Sequence, residues 1–232
     1  KPYCAAFYNH PMAMDVCIRG AGVVGKVLAL LLARARIRVG LVQAAPEAGA
    51  QADIRAFALN AASQSLLSGL RAWPLQACAL QHMRVQGDAG GLVQFDAAAM
   101  GADALAWIVD APLLEQHLQT AVSFAPEITL LSAPEPAALT VICEGRSSST
   151  LQAMGSASAL AFDRAAYEQT AIAAHIALDQ AHQATAWQWM QGGEVCALLP
   201  RAAMHTPAGS DAPIANGHTN PGNAVALVWS GQ

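Results

Sequence analysis

The run Asp15-Val16-Cys17-Ile18-Arg19-Gly20-Ala21-Gly22-Val23-Val24-Gly25, continued by Leu28-Ala29-Leu30-Leu31-Leu32-Ala33-Arg34, constrains the fold more than any other part of the chain. A β-type apolar segment leads into three glycines spaced G-x-G-x-x-G and then into a helix-forming segment, so the local structure reads as strand, tight turn, helix. Gly20 allows the turn, Gly22 lets the backbone approach a pyrophosphate with no Cβ in the way, and Gly25 lets the helix pack closely on the strand. The helix N-terminus then presents unpaired N–H groups and the positive end of its dipole to the phosphates. Glycines at this spacing also occur in ordinary structural turns, but here both flanks have the character that a dinucleotide site requires. A second strand, Ile37 to Val42, follows, and the residue after it is the one that meets the adenosine ribose, usually an acid. Here it is Gln43, which can accept a hydrogen bond but carries no charge.

Composition narrows the class. At 232 residues the chain is long enough for one large domain or two small ones, and either can bury a core. With 54% hydrophobic and 12% charged residues it is globular, and its net charge of −4 gives no basic footprint for nucleic acid. The most apolar run, Val23 to Val42, is interrupted by Lys26, Arg34, Arg36 and Arg38, which makes it a poor membrane span, and the expectation is that no secretory signal precedes it. The five cysteines are scattered and never form a C-x-x-C pair, which argues for a reducing compartment and against zinc or a disulfide framework. Cys17 and Cys143 lie in apolar strand runs as small hydrophobes. The seven histidines show no metal-ligand spacing; His117 on a helix and His175 in an alternating segment read as packing or surface residues. There is no G-x-S-x-G elbow for a serine hydrolase.

Periodicity gives the rest of the order. Residues 1–14 read as an N-terminal extension, with Met12 or Met14 a natural start. Ala44 to Asp53 is a small-residue loop, and a helix over Leu59 to Leu70 would place Leu59, Leu66, Leu67 and Leu70 on one face. Met83, Val85, Leu92, Val93 and Phe95, around Gly87, Gly90 and Gly91, predict a hairpin of two short strands. Ala106 to Val109 is a strand, and Asp110 with Pro112 caps a helix from Leu113 to Val122. Ile128 to Leu131 and Leu139 to Cys143 are fully apolar β runs, which fit a parallel sheet covered on both faces. Beyond Ala159 extended signals dominate: Tyr167 to Leu178, Thr185 to Met190, Glu194 to Leu199 and Asn223 to Trp229, with a Gly/Asn/Pro-rich loop over Pro207 to Gly222. These predict a mostly antiparallel second lobe. The domain reading is 15–79 and 99–158 for a Rossmann lobe, and 80–98 and 159–232 for a β-sheet lobe.

In these blocks the chain resembles a known family, the flavin-dependent aromatic hydroxylases of ubiquinone biosynthesis, relatives of para-hydroxybenzoate hydroxylase. The likeness rests on the glycine run from Asp15 to Gly25, on Arg55-Ala56-Phe57-Ala58-Leu59-Asn60-Ala61-Ala62-Ser63, on Trp107-Ile108-Val109-Asp110, and on Tyr167-Glu168-Gln169-Thr170-Ala171. A fifth block, Leu139-Thr140-Val141-Ile142-Cys143-Glu144-Gly145-Arg146-Ser147-Ser148, looks like the family's second fingerprint, usually built around Asp-Gly.

The resemblance implies an α/β fold: a Rossmann-type FAD-binding lobe with a mostly antiparallel β substrate lobe, C-terminally incomplete. It implies that Gly20, Gly22 and Gly25 hold the FAD pyrophosphate, that Gln43 meets the ribose, that Arg55 lies beside the flavin, and that Glu144 and Gly145 sit near the cofactor. Without it, Arg55 reads as a solvated loop arginine and Glu144 as a strand-end acid capping the next turn. The implied chemistry is reduction of FAD by NAD(P)H, addition of O₂, and oxygen transfer from the flavin hydroperoxide to a prenylated phenol. Such chemistry lies in the cofactor, and no catalytic residue is assigned. Three positions depart from the family pattern: Gln43 for an acid, Glu144 for Asp, and Leu151 where arginine closes the fingerprint. The family's Gly-Asp motif and final helix would lie beyond Trp229, so the expectation is that these 232 residues alone do not hydroxylate. The expected location is cytoplasmic, touching the inner face of the membrane or a ubiquinone-synthesis assembly there. Two other readings stand: another flavoprotein oxidoreductase of the same fold, such as a halogenase or geranylgeranyl reductase, or a non-catalytic nucleotide-binding remnant. Trp187-Gln188-Trp189 lacks the isoleucine-proline context of the halogenase motif.

Overall fold

The structure, a computed structural model, describes residues 14–43, 52–145, 148, 150, 167–202 and 223–231. The expectations for residues 1–13, most of the loop after Gln43, Leu151 and the loop over Pro207 to Gly222 lie outside them. The chain divides into two compact units, each made of separated stretches. Lys1–Ala50, Leu70–Ala72 and Glu115–Asp163 form the first; Gln51–Gly69, Trp73–Leu114 and Arg164–Gln232 form the second.

The first unit is built on a parallel sheet in the order β8-β2-β1-β9, from β1 (Val16–Arg19), β2 (Val39–Val42), β8 (Ile128–Leu131) and β9 (Leu139–Ile142). Expected strands and observed strands coincide, except that β2 begins two residues later than Ile37 and Cys143 falls just past β9. The central strands are closed on both faces: Cys17, Ile18 and Leu41 are wholly buried. The outer strands are not, with Leu130 at 47% and Leu139 at 57% exposure, so the expected two-sided cover holds only at the centre. Gly40 in β2 makes room for another core residue: a Cβ there would run into the thioether of Met14 and into Leu131.

Helix α1 (Val23–Arg34) joins β1 to β2 and buries Gly25, Lys26, Ala29, Leu30 and Ala33, a single face at helical spacing. It ends in a Schellman turn, in which Arg36 N–H donates to Ala33 O (2.9 Å) and Ile37 N–H to Leu32 O (3.1 Å). Glycine is usual at the left-handed position of such a turn, yet Arg36 holds it at φ 61° and reaches Glu127 at 2.6 Å.

The second unit carries two sheets. The larger runs β10-β13-β12-β11-β5-β6, from β5 (His82–Gln86), β6 (Leu92–Asp96), β10 (Thr170–Ala177), β11 (Thr185–Gln191), β12 (Glu194–Pro200) and β13 (Ala224–Gly231). Every pairing is antiparallel except β5 with β11, which fits the expected mostly antiparallel lobe. The expected hairpin is β5–β6. A three-stranded sheet, β3 (Ala56–Leu59), β7 (Ala106–Asp110) and β4 (Cys78–Leu80), lies beside helix α2 (Ala61–Gly69).

Two sequence expectations are corrected here. Leu59 closes β3 instead of opening a helix, because Asn60 caps α2 by accepting the Ser63 N–H (2.8 Å); Leu67 is buried while Leu66 is 42% exposed. Asp110 does not cap the following helix, α3 (Ala111–Ser123). Its carboxylate receives two hydrogen bonds from the Arg201 guanidinium, at 2.8 and 2.6 Å, and the Ala111 N–H is met instead by Arg55 O. A bidentate partner at the end of β12 outcompetes a local cap.

That pair continues into a network. His182 accepts the Ala184 N–H at Nδ1 (3.0 Å), so the proton sits on Nε2 and is donated to Arg201 O (3.1 Å). The Arg201 side chain is only 5% exposed, so Asp110→Ala leaves a buried cation unpaired. We expect a loss of about 3–5 kcal/mol in denaturant unfolding of the second unit. A loss near that of an exposed ion pair, under about 1 kcal/mol, would mean the pair contributes little.

Candidate functional site

Three neighbouring parallel strands end side by side, and most of the sequence-selected residues gather there: Gln43 follows β2, Gly20 follows β1, and Cys143, Glu144 and Gly145 follow β9. From β1 the chain moves to β2 on one side while β9 lies on the other, so the connections diverge at the carboxyl end of β1. In open α/β sheets that divergence opens the crevice where ligands bind.

The three glycines answer to three different constraints. Gly20 has φ +107°, and a Cβ on it would meet the Cys143 carbonyl carbon at 2.6 Å and the Glu144 nitrogen at 2.8 Å. Its backbone is held between the two neighbouring strands, since Gly20 N–H donates to Val42 O (3.2 Å) and Cys143 N–H donates to Arg19 O (2.7 Å). On Gly25 a Cβ would be driven into the carbonyl oxygen of Gly20, so helix and turn touch through backbone alone. Gly22 is the opposite case: nothing lies within 4 Å of where its Cβ would be. It caps α1 in an extended conformation with no side-chain hydrogen bond, and there is no acid in the first helical turn. The helix therefore starts beside open space at Gly22, with no side-chain cap and no built-in anion, an arrangement that fits a diphosphate.

Glu144 is turned inward. Its Oε1 accepts from Thr150 Oγ1 (2.6 Å) and lies 2.9 Å from Arg19 Nε, while Oε2 accepts from Ser148 Oγ (2.7 Å) and from the Thr150 N–H (3.1 Å). The Arg19 Nε–H is buried and not aligned for a hydrogen bond, so its attraction is Coulombic. Desolvation alone would raise the Glu144 carboxyl. The hydrogen bonds from Thr150 and Ser148, with the charge of Arg19, outweigh it and hold the group at about 2. Burial pushes the neighbouring Cys143 thiol up. Gly145 takes the left-handed conformation (φ +72°) with open space around it, and Gln43 is exposed, its N–H donated to Leu131 O (2.9 Å).

Arg55 belongs to the second unit. It holds Asp53 through two hydrogen bonds (2.8 and 2.6 Å), which lower the Asp53 carboxyl, and its guanidinium stands 5.9 Å from the centre of the Phe57 ring. Sequence reasoning passed over Arg19. A charge closing an otherwise apolar central strand, directly before a glycine turn, was the available signal. Among the described residues no three His, Cys, Asp or Glu side chains form a metal cluster, the four cysteines are free, and no helix is long and apolar enough to cross a membrane.

Gly22 and Gly25 should respond in opposite ways to a larger side chain. Gly22→Val leaves the melting temperature nearly unchanged, within the cost of a poorer helix cap of about 1 kcal/mol, but weakens FAD by about tenfold or more. Gly25→Ala destabilises the ligand-free chain itself, by about 1–3 kcal/mol. Calorimetry and fluorescence titration separate the two, and equal FAD affinity in a folded Gly22→Val chain would remove the diphosphate from this turn.

No family model matches the chain. The chain is 34% identical over 129 residues to 3-demethoxyubiquinol 3-hydroxylase of Escherichia coli, a match that covers 50% of this chain and 32% of that protein. In fold it is similar to PqsL of Pseudomonas aeruginosa, described as a probable FAD-dependent monooxygenase, with a TM-score of 0.67 at 17% identity over 94% of this chain and 60% of the other. It is also similar to p-nitrophenol 4-monooxygenase PnpA of Pseudomonas putida, with a TM-score of 0.65 at 13% identity over 94% of this chain and 57% of that one. The matched region is thus about a third of the curated relative, and the chain covers about three-fifths of each solved structure. The chain is thus similar in sequence, over half its length, to a ubiquinol hydroxylase, and it shares over nearly its whole length the fold of FAD-dependent monooxygenases.

Proposed function

We propose that the chain binds FAD at the carboxyl ends of β1, β2 and β9 and serves an FAD-dependent monooxygenase that hydroxylates a prenylated phenol in ubiquinone biosynthesis. The observation that carries this reading is the N-terminus of α1, which has no side-chain cap and has open space beside Gly22, where the family's cofactor would place its diphosphate. The substrate class rests on the partial likeness to the ubiquinol hydroxylase.

Bound FAD would carry two electrons from NAD(P)H to O₂ and deliver one oxygen atom to the activated ring, the other leaving as water. The chain's own part is binding and orientation. The N–H groups that follow Gly22 would hold the diphosphate, and Gln43 would accept a ribose hydroxyl with its side-chain carbonyl. Gly20 and Gly25 keep the turn compact enough for that approach. A membrane-dissolved substrate would bring the protein into peripheral contact with the inner membrane or with an assembly there.

Titrating the chain with FAD tests the reading, with quenching of flavin fluorescence as the signal and one flavin per chain as the expected outcome. Absence of saturable binding would sink it. With NAD(P)H, a short-chain prenylphenol and isotopically labelled dioxygen, the hydroxylase reading expects label in the ring product of the assembled enzyme. Bound flavin with no labelled product would favour another flavoprotein oxidoreductase of this fold. A finer check lies at Gln43: replacing it with Glu should tighten FAD several-fold if the side chain meets the ribose, because a charged acceptor makes the stronger hydrogen bond. Unchanged affinity would place the ribose elsewhere.

A further inference from the structure

We propose that Arg19 and Glu144 form a charge latch between the two glycine turns of the phosphate site, in which Arg19 masks a carboxylate that would otherwise repel the diphosphate. Both are positioning residues, and neither touches the cofactor. The proposal deepens the FAD reading above and rests on it for the identity of the anion.

The first support is stoichiometric. A carboxylate offers about four acceptor positions; among the described residues Glu144 accepts at three of them, from Thr150 Oγ1, Ser148 Oγ and the Thr150 N–H, and the Arg19 guanidinium stands 2.9 Å from Oε1. The residue that the family resemblance sets beside the cofactor is thus largely committed to the protein instead. The second support is position. Arg19 immediately precedes Gly20, Glu144 immediately precedes Gly145, and between them the Gly20 backbone lies against the carbonyl of Cys143 and the nitrogen of Glu144. The ion pair therefore spans the seam where the turn after β1 meets the turn after β9. The third is electrostatic. Glu144 is a carboxylate at neutral pH, its backbone lies against the Gly20 turn that leads into α1, a helix itself free of acids, and the opposite charge of Arg19 beside it offsets its repulsion of an anion there. Its side chain is 17% exposed and that of Arg19 29%, so water screens the pair only in part.

Among the described residues the groups facing the carboxylate are Arg19 from β1 and Ser148 and Thr150 from the segment after β9. Because its folded carboxyl is depressed, the stabilisation it gives is fully present above the unfolded value of 4.5 and is lost as pH falls toward about 2.

The test is a double-mutant cycle read both with and without ligand. Arg19→Met should weaken FAD by about tenfold or more, an effect that shrinks at high salt, and Arg19→Lys, which keeps the charge, should retain most of the affinity. Glu144→Gln alone should change affinity by less than about threefold, and in that background Arg19→Met should lose most of its effect. A Glu144→Gln chain that itself loses tenfold would make Glu144 a direct ligand. An Arg19→Met loss that persists beside Glu144→Gln would make Arg19 a phosphate ligand. Either result overturns the latch. Ligand-free melting keeps this proposal apart from the FAD reading, because the latch requires the two substitutions to be non-additive at pH 7. It also requires the deficit of Arg19→Met to narrow between pH 5 and about 2. Additive effects, or a deficit independent of pH, refute the latch even in a chain that binds FAD. Coupled melting in a chain that does not bind FAD refutes the flavin reading and, with it, the masking role.

Discussion

The contact on which the first unit depends is one between backbones. Gly20 fills the space between the end of β1 and the turn after β9 so closely that a methyl group would collide with the Cys143 carbonyl, and Gly25 does the same to the Gly20 carbonyl from the helix side. Helix, central strand and second turn are therefore fixed to one another without intervening side chains. That closeness leaves Gly22 as the one glycine of the motif with room beside it. The open space is a product of the crowding around it, since a looser turn would neither aim the first N–H groups of α1 nor hold them still.

Charge placement follows the same seam. The apolar strands β1 and β2 have no other ionised group at their carboxyl ends than Arg19, and it is met at once by Glu144 across the β1–β9 pairing. In the second unit Arg201 and Asp110 do similar work, joining the end of β12 to the junction of β7 and α3, with His182 holding the Arg201 carbonyl. In both cases a planar guanidinium is used where strands from distant parts of the sequence end together, because it can satisfy a carboxylate while its stem lies along apolar surface.

Local patterns were legible and long-range partners were not. The glycine turn, α1, the β5–β6 hairpin and the strands of the large sheet follow from period and turn chemistry within a few residues, and they stand close to where the sequence puts them. Asp110 was misread because aspartate before a helix is normally a cap, a rule with no knowledge of an arginine 91 residues away. Leu59 was misread because a helical period was run through Asn60, whose side chain is the stop signal between strand and helix. Of the candidate site, the glycines and Gln43 are selected by spacing alone. The commitment of Glu144 to Arg19, Ser148 and Thr150 required knowing that β9 lies beside β1.

The parallel pairing of β5 with β11 has a kinetic consequence. His82 lies opposite Thr185 and Gln86 opposite Trp189, about a hundred residues apart in the chain, and β1 pairs with β9 over a still longer separation. The β5–β6 hairpin can form as soon as it leaves the ribosome, but it has no sheet to join until β11 has been made, and β1, paired early with β2, keeps its other edge open until β9. During synthesis each sheet is then an unfinished edge with apolar side chains on it, of which Leu92, Val93 and Phe95 in β6 remain exposed in the folded chain. The large sheet therefore matures last, and its risk of aggregation is concentrated in the interval before β10 to β13 arrive.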